Sequence, residues 1–276
     1  MEAGSIRKTV IEPSRGWRML DAGELWTCRE LLWVLALRDI KVRYKQTVLG
    51  VLWVIVRPLA SMILFTLIFG KLAKIPSDGY PYAVFVFAAL VPWTFFSSAV
   101  AASGNSLVGY AGLINKIYFP RIIIPIASMG SGLVDLAISA AFLLAIMPLF
   151  GVALSPYLLA FPVLLAAVLL LALGVGTLFS ALTATYRDFG GLLAFVMQVW
   201  MFATPVIYPA SLIPESWRWV LHFNPMAALI EGFRSAFLGK PFDLPALGVS
   251  FAVAAAFFVV GVGYFQKVER RFADII

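Results

Sequence analysis

Few side chains in this sequence suit covalent or metal chemistry. There is one histidine, His222, and one cysteine, Cys28. A zinc or iron site needs a cluster of such ligands, so no metal is expected, and a lone cysteine closes no intrachain disulfide. No Ser/His/Asp or Cys/His set supplies a nucleophile with its base, so no catalytic residue is expected. The phosphate cradle G-x-x-x-x-G-K-[ST] is also missing. Gly70-Lys71 and Gly239-Lys240 lack both the upstream glycine and the following hydroxyl residue. The chain therefore reads as no enzyme by itself and as carrying no cofactor. If it moves a cargo uphill, the energy comes from another chain.

What remains is charge set among apolar residues. Arg57 and Asp135 fall inside long apolar runs. A charge at the bilayer centre costs about 2.5–3.5 kcal/mol on insertion scales, so each should face protein or water. Their opposite signs suggest that they pair. Between Leu25 and Lys45, Trp33, Leu37, Ile40 and Tyr44 recur at helical spacing while Arg38, Lys41 and Lys45 take another face. That pattern suits an amphipathic helix lying in a membrane interface, although ordinary basic flanking sequence would read similarly. Ser103 to Arg121 is punctuated by Gly109 and Gly112 and stopped by Pro120. Within it Leu113, Ile114, Ile117, Tyr118 and Phe119 surround Asn115 and Lys116. An exposed apolar helix needs a partner to cover it, whereas a loop dipping into headgroups does not. Tyr208 to Asp243 is too apolar for a free loop and is interrupted at Asn224-Pro225. Two short helices, about 215–222 and 226–238, would make a re-entrant hairpin carrying Trp217, Arg218, Trp219, Glu231, Phe233 and Arg234. An interfacial helix pair anchored by tryptophans is the alternative.

The elements that position these residues follow from composition. Of 276 residues, 62% are apolar and 13% charged, against about 45–50% and about 25% in soluble domains. A soluble globule of this size cannot hide that much hydrocarbon, so the excess faces lipid. Soluble enzymes, nucleic-acid-binding domains and disordered chains are excluded. The fold class is an all-α membrane protein, since a helix satisfies its own backbone in lipid. Six apolar stretches are long enough to cross a ~30 Å hydrocarbon layer, near residues 50–69, 83–102, 122–150, 157–184, 190–207 and 246–265. The net charge of +7 is read as orientation rather than as affinity for nucleic acid. With both ends inside, fifteen Lys and Arg lie on the cytoplasmic side and five outside, which favours cytoplasmic termini. The first 24 residues carry charges throughout and lack an apolar core, so no signal peptide is expected. The expected organisation is a cytoplasmic segment 1–24, an interfacial helix 25–47, a six-span domain 48–266 and a cytoplasmic tail 267–276.

Three segments carry a family resemblance, in order and at sensible spacing. RDIKVRYKQTVLGVLWVIVRPL (Arg38 to Leu59) and LINKIYFPRIIIP (Leu113 to Pro125) resemble type-2 ABC-transporter permeases. TPVIYPASLIPESWRWVLHFNPMAALIEGFRSAFLG (Thr204 to Gly239) resembles the subgroup that exports O-antigen and related lipid-linked polysaccharides. The resemblance covers about residues 25–270. Arg57 departs from it, because an uncharged residue is expected before that proline.

The resemblance implies a half-transporter in a bacterial inner membrane. Two copies would pair, each docked to a cytoplasmic ABC ATPase subunit that binds ATP and magnesium, with membrane lipids around them. Residues 112–119 (Leu113, Ile114, Asn115, Lys116, Ile117, Tyr118 and Phe119 among them) would form the coupling helix. The interfacial helix, which carries Arg38, would sit against the same ATPase, with Arg43 and Tyr44 near the contact. The hairpin at about 211–240, with Trp217, Arg218, Asn224 and Pro225, would be an extracytoplasmic gate in which Glu231 and Arg234 can pair at i, i+3. Aromatic faces suit the C–H faces of sugars, so Phe87, Trp93, Phe95, Phe96, Trp200, Phe202 and Tyr208 are candidate channel-lining residues. Export of a small molecule by the same machinery, an ATP-independent carrier or channel, and a structural anchor are the competing readings.

Overall fold

The computed structural model describes residues 22–45, 52–114, 116–117, 119–186, 188–269 and 272. Residues 1–21 of the N-terminal segment, Asn115, Tyr118 and most of the tail lie outside the described residues. Among the described residues all regular structure is helical. Helix α1 (Ala22–Thr27) leads into α2 (Arg29–Lys45). Helix α3 (Leu52–Phe65) runs on as a π-helical stretch, Thr66–Leu72. The long α4 (Tyr82–Gly104) is followed by two single turns, α5 (Ser106–Gly109) and α6 (Ala111–Ile114). Helices α7 (Ile123–Ser128) and α8 (Gly130–Ile146) are separated by a break at Met129. Helix α9 (Phe161–Thr185) precedes α10 (Asp188–Ala203), the short α11 (Arg218–His222), α12 (Pro225–Leu238) and α13 (Leu244–Glu269).

Five stretches are long and apolar enough to cross a membrane: Leu52–Leu72, Tyr82–Gly104, Ile123–Phe150, Pro156–Thr185 and Leu244–Glu269. They fall within a few residues of the first four and the sixth spans expected from the sequence. The fifth differs. Helix α10 has 16 residues and is about 24 Å long, and it stops at Ala203 instead of running to Ile207. Pro205 has no N–H to continue the ladder and pushes Thr204 out of helical geometry. The Thr204 hydroxyl donates to the Trp200 carbonyl at 2.7 Å, satisfying one acceptor that the ended helix leaves free.

Helix α4 is the axis of the fold. It is apolar on every side, which only a surrounded helix tolerates, and Val84 through Ala89 are fully buried. Helices α8, α9 and α12 enclose it. Helices α9 and α13 form the closest pairing, because Gly174 and Gly261 meet at their crossing. A methyl at Gly261 would run into the carbonyl oxygen of Gly174, and one at Gly174 would lie 2.5 Å from the backbone of Phe257 and Phe258. In lipid no hydrophobic force drives helices together, so dispersion at such close approaches holds the pair. Helix α3 and its π-helical continuation, by contrast, turn Ile63, Leu64, Leu67 and Ile68 outward.

The packing divides into two cores. The larger is built on α4, α8, α9 and α12. The smaller gathers Leu35, Ala36, Leu107, Tyr110, Ile114, Phe119, Ile123 and Phe265 at the end of the bundle where α2, the segment after α4 and the end of α13 meet. Helix α12 and its hairpin occupy the opposite end, packed on the starts of α4, α9 and α13.

Candidate coupling face and hairpin

Helix α2 packs through Leu35 and Ala36, while Trp33 is exposed. The other residues of the expected interfacial face, Leu37, Ile40 and Tyr44, are half-buried. Ala36 lies against Gly130, where an added methyl would come within 3.1 Å of its Cβ. Three, seven and eight residues further on, polar groups replace apolar ones on that side. The Tyr110 hydroxyl bonds both oxygens of Asp39 at 2.5 and 2.6 Å, and the Arg38 guanidinium stacks 4.2 Å over the Tyr110 ring. Arg43 forms an ion pair with Asp135 and donates to the Ser131 hydroxyl at 3.2 Å. The Tyr44 hydroxyl donates to Asp135 at 2.5 Å. Burial, then the hydrogen bond to a carboxylate, pushes both the Tyr44 and Tyr110 hydroxyls well above the usual tyrosine range, so both stay protonated donors.

This corrects the expected Arg57–Asp135 pair. Asp135 is held by α2, and Arg57 is exposed on α3 with its guanidinium 5.8 Å from the Trp53 ring centre. Opposite sign alone could not reveal which partner each charge meets.

The segment after α4 also departs from expectation. Its helical turns end at Ile114, and no continuous helix spans 112–119 among the described residues. Ile114 and Phe119 are buried in the smaller core and Leu113 is half-buried. Ile117, Lys116 and Val108 are exposed. Asn115 and Tyr118 lie outside the described residues. Arg121 closes this end of the bundle by donating its backbone N–H to the Glu269 carboxylate at 2.8 Å and its guanidinium to the Glu269 carbonyl.

At the other end, the chain breaks at Asn224-Pro225 as expected, and the reason is visible. Pro225 occupies the first helical position, where its missing N–H costs nothing. Asn224 caps α12 by accepting from the Met226 N–H at 3.1 Å. The same oxygen accepts from the Trp200 indole at 2.9 Å, and the amide nitrogen donates to the Thr204 hydroxyl at 2.9 Å and the Ala203 carbonyl at 3.2 Å. One side chain therefore fastens α12 to the end of α10.

Arg234 is the largest fully buried side chain. It pairs with Glu231 at 2.6 Å and donates to the carbonyls of Val206 at 2.7 Å and of Tyr208 and Phe85 at 3.4 Å each. Its guanidinium stacks 3.7 Å from the Phe85 ring centre. A buried charge is tolerable only when paired and fully hydrogen-bonded, and the planar fork of arginine meets that demand. Arg218 lies 3.7 Å from Glu215 on the exposed side of the hairpin, next to the exposed Trp217.

Beside the hairpin, Lys240 donates to Asp78 at 2.8 Å and the Ser211 hydroxyl donates to the same carboxylate at 2.9 Å. Burial opposes ionisation of Asp78, but these hydrogen bonds and the Lys240 charge outweigh it and hold the carboxyl below its usual range. A depressed carboxyl stabilises the fold above its unfolded pKa and loses that contribution as pH falls through the folded value. Acidification below the carboxylate range should therefore loosen the 73–81 loop. In detergent the melting temperature should drop further between neutral and acid pH for the wild type than for Asp78→Asn. Equal drops would show that the tie contributes nothing.

Of the aromatic candidates, Phe87, Trp93, Phe95 and Phe96 are enclosed in the chain's own core. They face no open surface in this conformation because α4 is surrounded on all sides. Trp200 is half-buried and engaged by Asn224 and by an edge-to-face contact with Phe96 at 5.2 Å. Phe202 is exposed, and the Tyr208 hydroxyl donates to its carbonyl at 3.2 Å. A cavity of about 420 Å³ lies elsewhere, between residues 79–81, 150–155 and 238–239. Sequence reading missed Asp39, Tyr110, Ser131, Glu269 and Asp78 as partners. Only Asp39 left a local signal, since it stands four residues before Arg43 and shares its face.

The structure is thus that of a multi-pass membrane protein with a polar-jointed face at one end and a buried-arginine hairpin at the other. Residues 30–238 match the ABC-2 type transporter family, and the chain belongs to it. It is similar to the O-antigen export system permease protein RfbA of Klebsiella pneumoniae, with 27% identity over 90% of this chain and 95% of that protein. RfbA of Myxococcus xanthus is 28% identical over 92% of this chain and 98% of its own length. The polysialic acid transport protein KpsM of Escherichia coli is 25% identical over 73% of this chain and 79% of its own.

Proposed function

We propose that this chain is the membrane subunit of an ATP-driven exporter that moves a lipid-linked polysaccharide, such as O-antigen, across the bacterial inner membrane. The observation that carries this reading is the end-to-end similarity to permeases named for O-antigen export in two organisms. In this reading α10 completes a set of six spans and both termini are cytoplasmic. Two copies pair around the pathway. Each copy meets a cytoplasmic ATPase, which supplies the hydrolysis that this chain lacks motifs for. Docking falls on the exposed Val108, Lys116 and Ile117 beside α2. The α11–α12 hairpin is a re-entrant gate, and its buried Arg234 fixes the gate helix to α4. Phe202 and Tyr208 are the aromatic residues best placed to meet a sugar chain, since the four on α4 are enclosed.

A tagged copy purified in mild detergent from its native cell should bring down an ATPase subunit in equal amount. Ile117→Asp, a charge placed on the docking surface, should release most of that subunit while leaving the permease folded. Depletion of the chain in cells should leave lipid-linked glycan on the cytoplasmic face, an outcome a drug exporter does not produce. A preparation free of ATPase, with no glycan accumulated, would overturn the reading.

A further inference from the structure

We infer that α2 is a rigid lever joining the segment after α4 to α8, and that Arg43, Tyr44 and Asp135 are the positioning residues at its joint with α8. The inference rests on the reading of the chain as an exporter subunit and adds to it the route by which motion reaches the third span.

The argument starts from the face of α2 that meets the bundle. Leu32, Leu35, Ala36, Asp39 and Arg43 follow helical spacing and lie on one side. The first three meet the smaller core as apolar contacts. The last two change to charge, and each charge is spent on a different element. Asp39 holds Tyr110, in the segment whose Ile117 and Lys116 are exposed. Arg43, with Tyr44, holds Asp135 and Ser131 on α8. The two joints stand four residues apart on α2, about 6 Å of hydrogen-bonded helix.

The covalent route from Tyr110 to Asp135 is softer. It passes through residues 116–117 and 119–122, none of them helical, and through the break at Met129. A push on the segment after α4 would be absorbed at those two breaks. Helix α2 bridges both, and its Ala36 presses on Gly130 just past the second. An apolar residue at position 43 would slide along α8, whereas an ion pair bonded to a carboxylate and a hydroxyl fixes register as well as distance. Asp135 is mostly covered, with 17% of its side chain exposed, so water does little to replace Arg43.

The test uses the full chain with its ATPase, in cells deleted for the native gene and in the purified complex. Three quantities are read: ATPase recovered with the permease, ATP hydrolysis, and surface polysaccharide on a stained gel. Asp135→Asn should keep the ATPase bound and hydrolysis within about twofold of wild type. Surface polysaccharide should fall about tenfold, within the usual range of coupling between sites. The swap Arg43→Asp with Asp135→Arg should regain at least half of the export. Tyr44→Phe, which removes one hydroxyl and preserves packing, should give a smaller loss of the same kind.

Export by Asp135→Asn and Tyr44→Phe at the wild-type ratio to hydrolysis would overturn the lever. So would a loss of export matched by loss of bound ATPase, since that marks a merely structural role. Wild-type chain that recovers no ATPase would instead overturn the exporter reading on which the lever rests.

Discussion

Replacing Gly261 with leucine should leave almost no folded protein in the membrane. The side chain would enter the crossing of α9 and α13, where even a methyl runs into the carbonyl oxygen of Gly174. A flexible side chain could swing aside, but a helical carbonyl cannot move without breaking its own ladder. The helices must then separate along their length, and the close dispersion contacts that hold them in lipid are lost. Overpacking of this kind costs about 3 kcal/mol or more when backbone opposes backbone, a large share of a typical stability of about 5–15 kcal/mol. Gly261→Ala should lie between, with a melting temperature in detergent clearly below wild type. Gly263→Ala is the control, because open space lies beside that residue. It should melt as wild type does. If Gly261→Ala and Gly263→Ala were indistinguishable, the crossing would not be the close contact described.

The second large effect belongs to Arg234. Arg234→Met keeps much of the volume and removes the charge. It strands Glu231 and the carbonyl of Val206 without their donor and removes the cation stacked on Phe85. Breaking a buried pair by deleting one partner costs about 3–5 kcal/mol. The loss should appear as a lowered melting temperature and as proteolytic release of the α11–α12 hairpin before the rest of the bundle. Arg234→Lys should rescue little. A compact ammonium cannot reach acceptors on both α4 and the turn after α10 while pairing with Glu231. Adding Glu231→Gln to Arg234→Met should recover part of the stability, because it relieves the stranded carboxylate. A double variant no better than the single one would show that the pair itself contributes little.

The sequence revealed what local spacing controls. The Asn224-Pro225 break, the Glu231–Arg234 pairing and the ends of five long helices follow from neighbours within a few residues. The stop of α10 was legible too, since Pro205 was there to read, but the apolar run past it drew the expected span to Ile207. The joint between Arg43 and Asp135 spans 92 residues, and no periodicity encodes which distant element a charged side chain will meet. Which side of α2 meets the bundle was hidden for a different reason. In a chain this apolar, burial at a helix–helix contact and exposure to lipid select similar residues, so the hydropathy pattern loses its contrast. Trp33 and Leu35 look equally suited to burial, and only the packing of α2 on the bundle, where Ala36 meets Gly130, decides between them. Aromatic residues on α4 looked like lining for the same reason, because a helix surrounded by protein and one facing a channel can share a composition.

In the proposed six-span arrangement the brevity of α10 has an elastic consequence. A helix of 16 residues stands beside helices of 23, 25 and 26. It leaves a ~30 Å hydrocarbon layer about 6 Å short on that flank. A bilayer wets the apolar girdle it meets, so its leaflets dip toward each other along α10, at a cost of fractions of a kcal/mol per ångström. The thinned strip runs past the exposed Leu192, Phe195, Val199 and Phe202. In the proposed exporter it would shorten the distance over which a polar headgroup on a lipid carrier must be dragged through hydrocarbon, on the flank that ends at the hairpin.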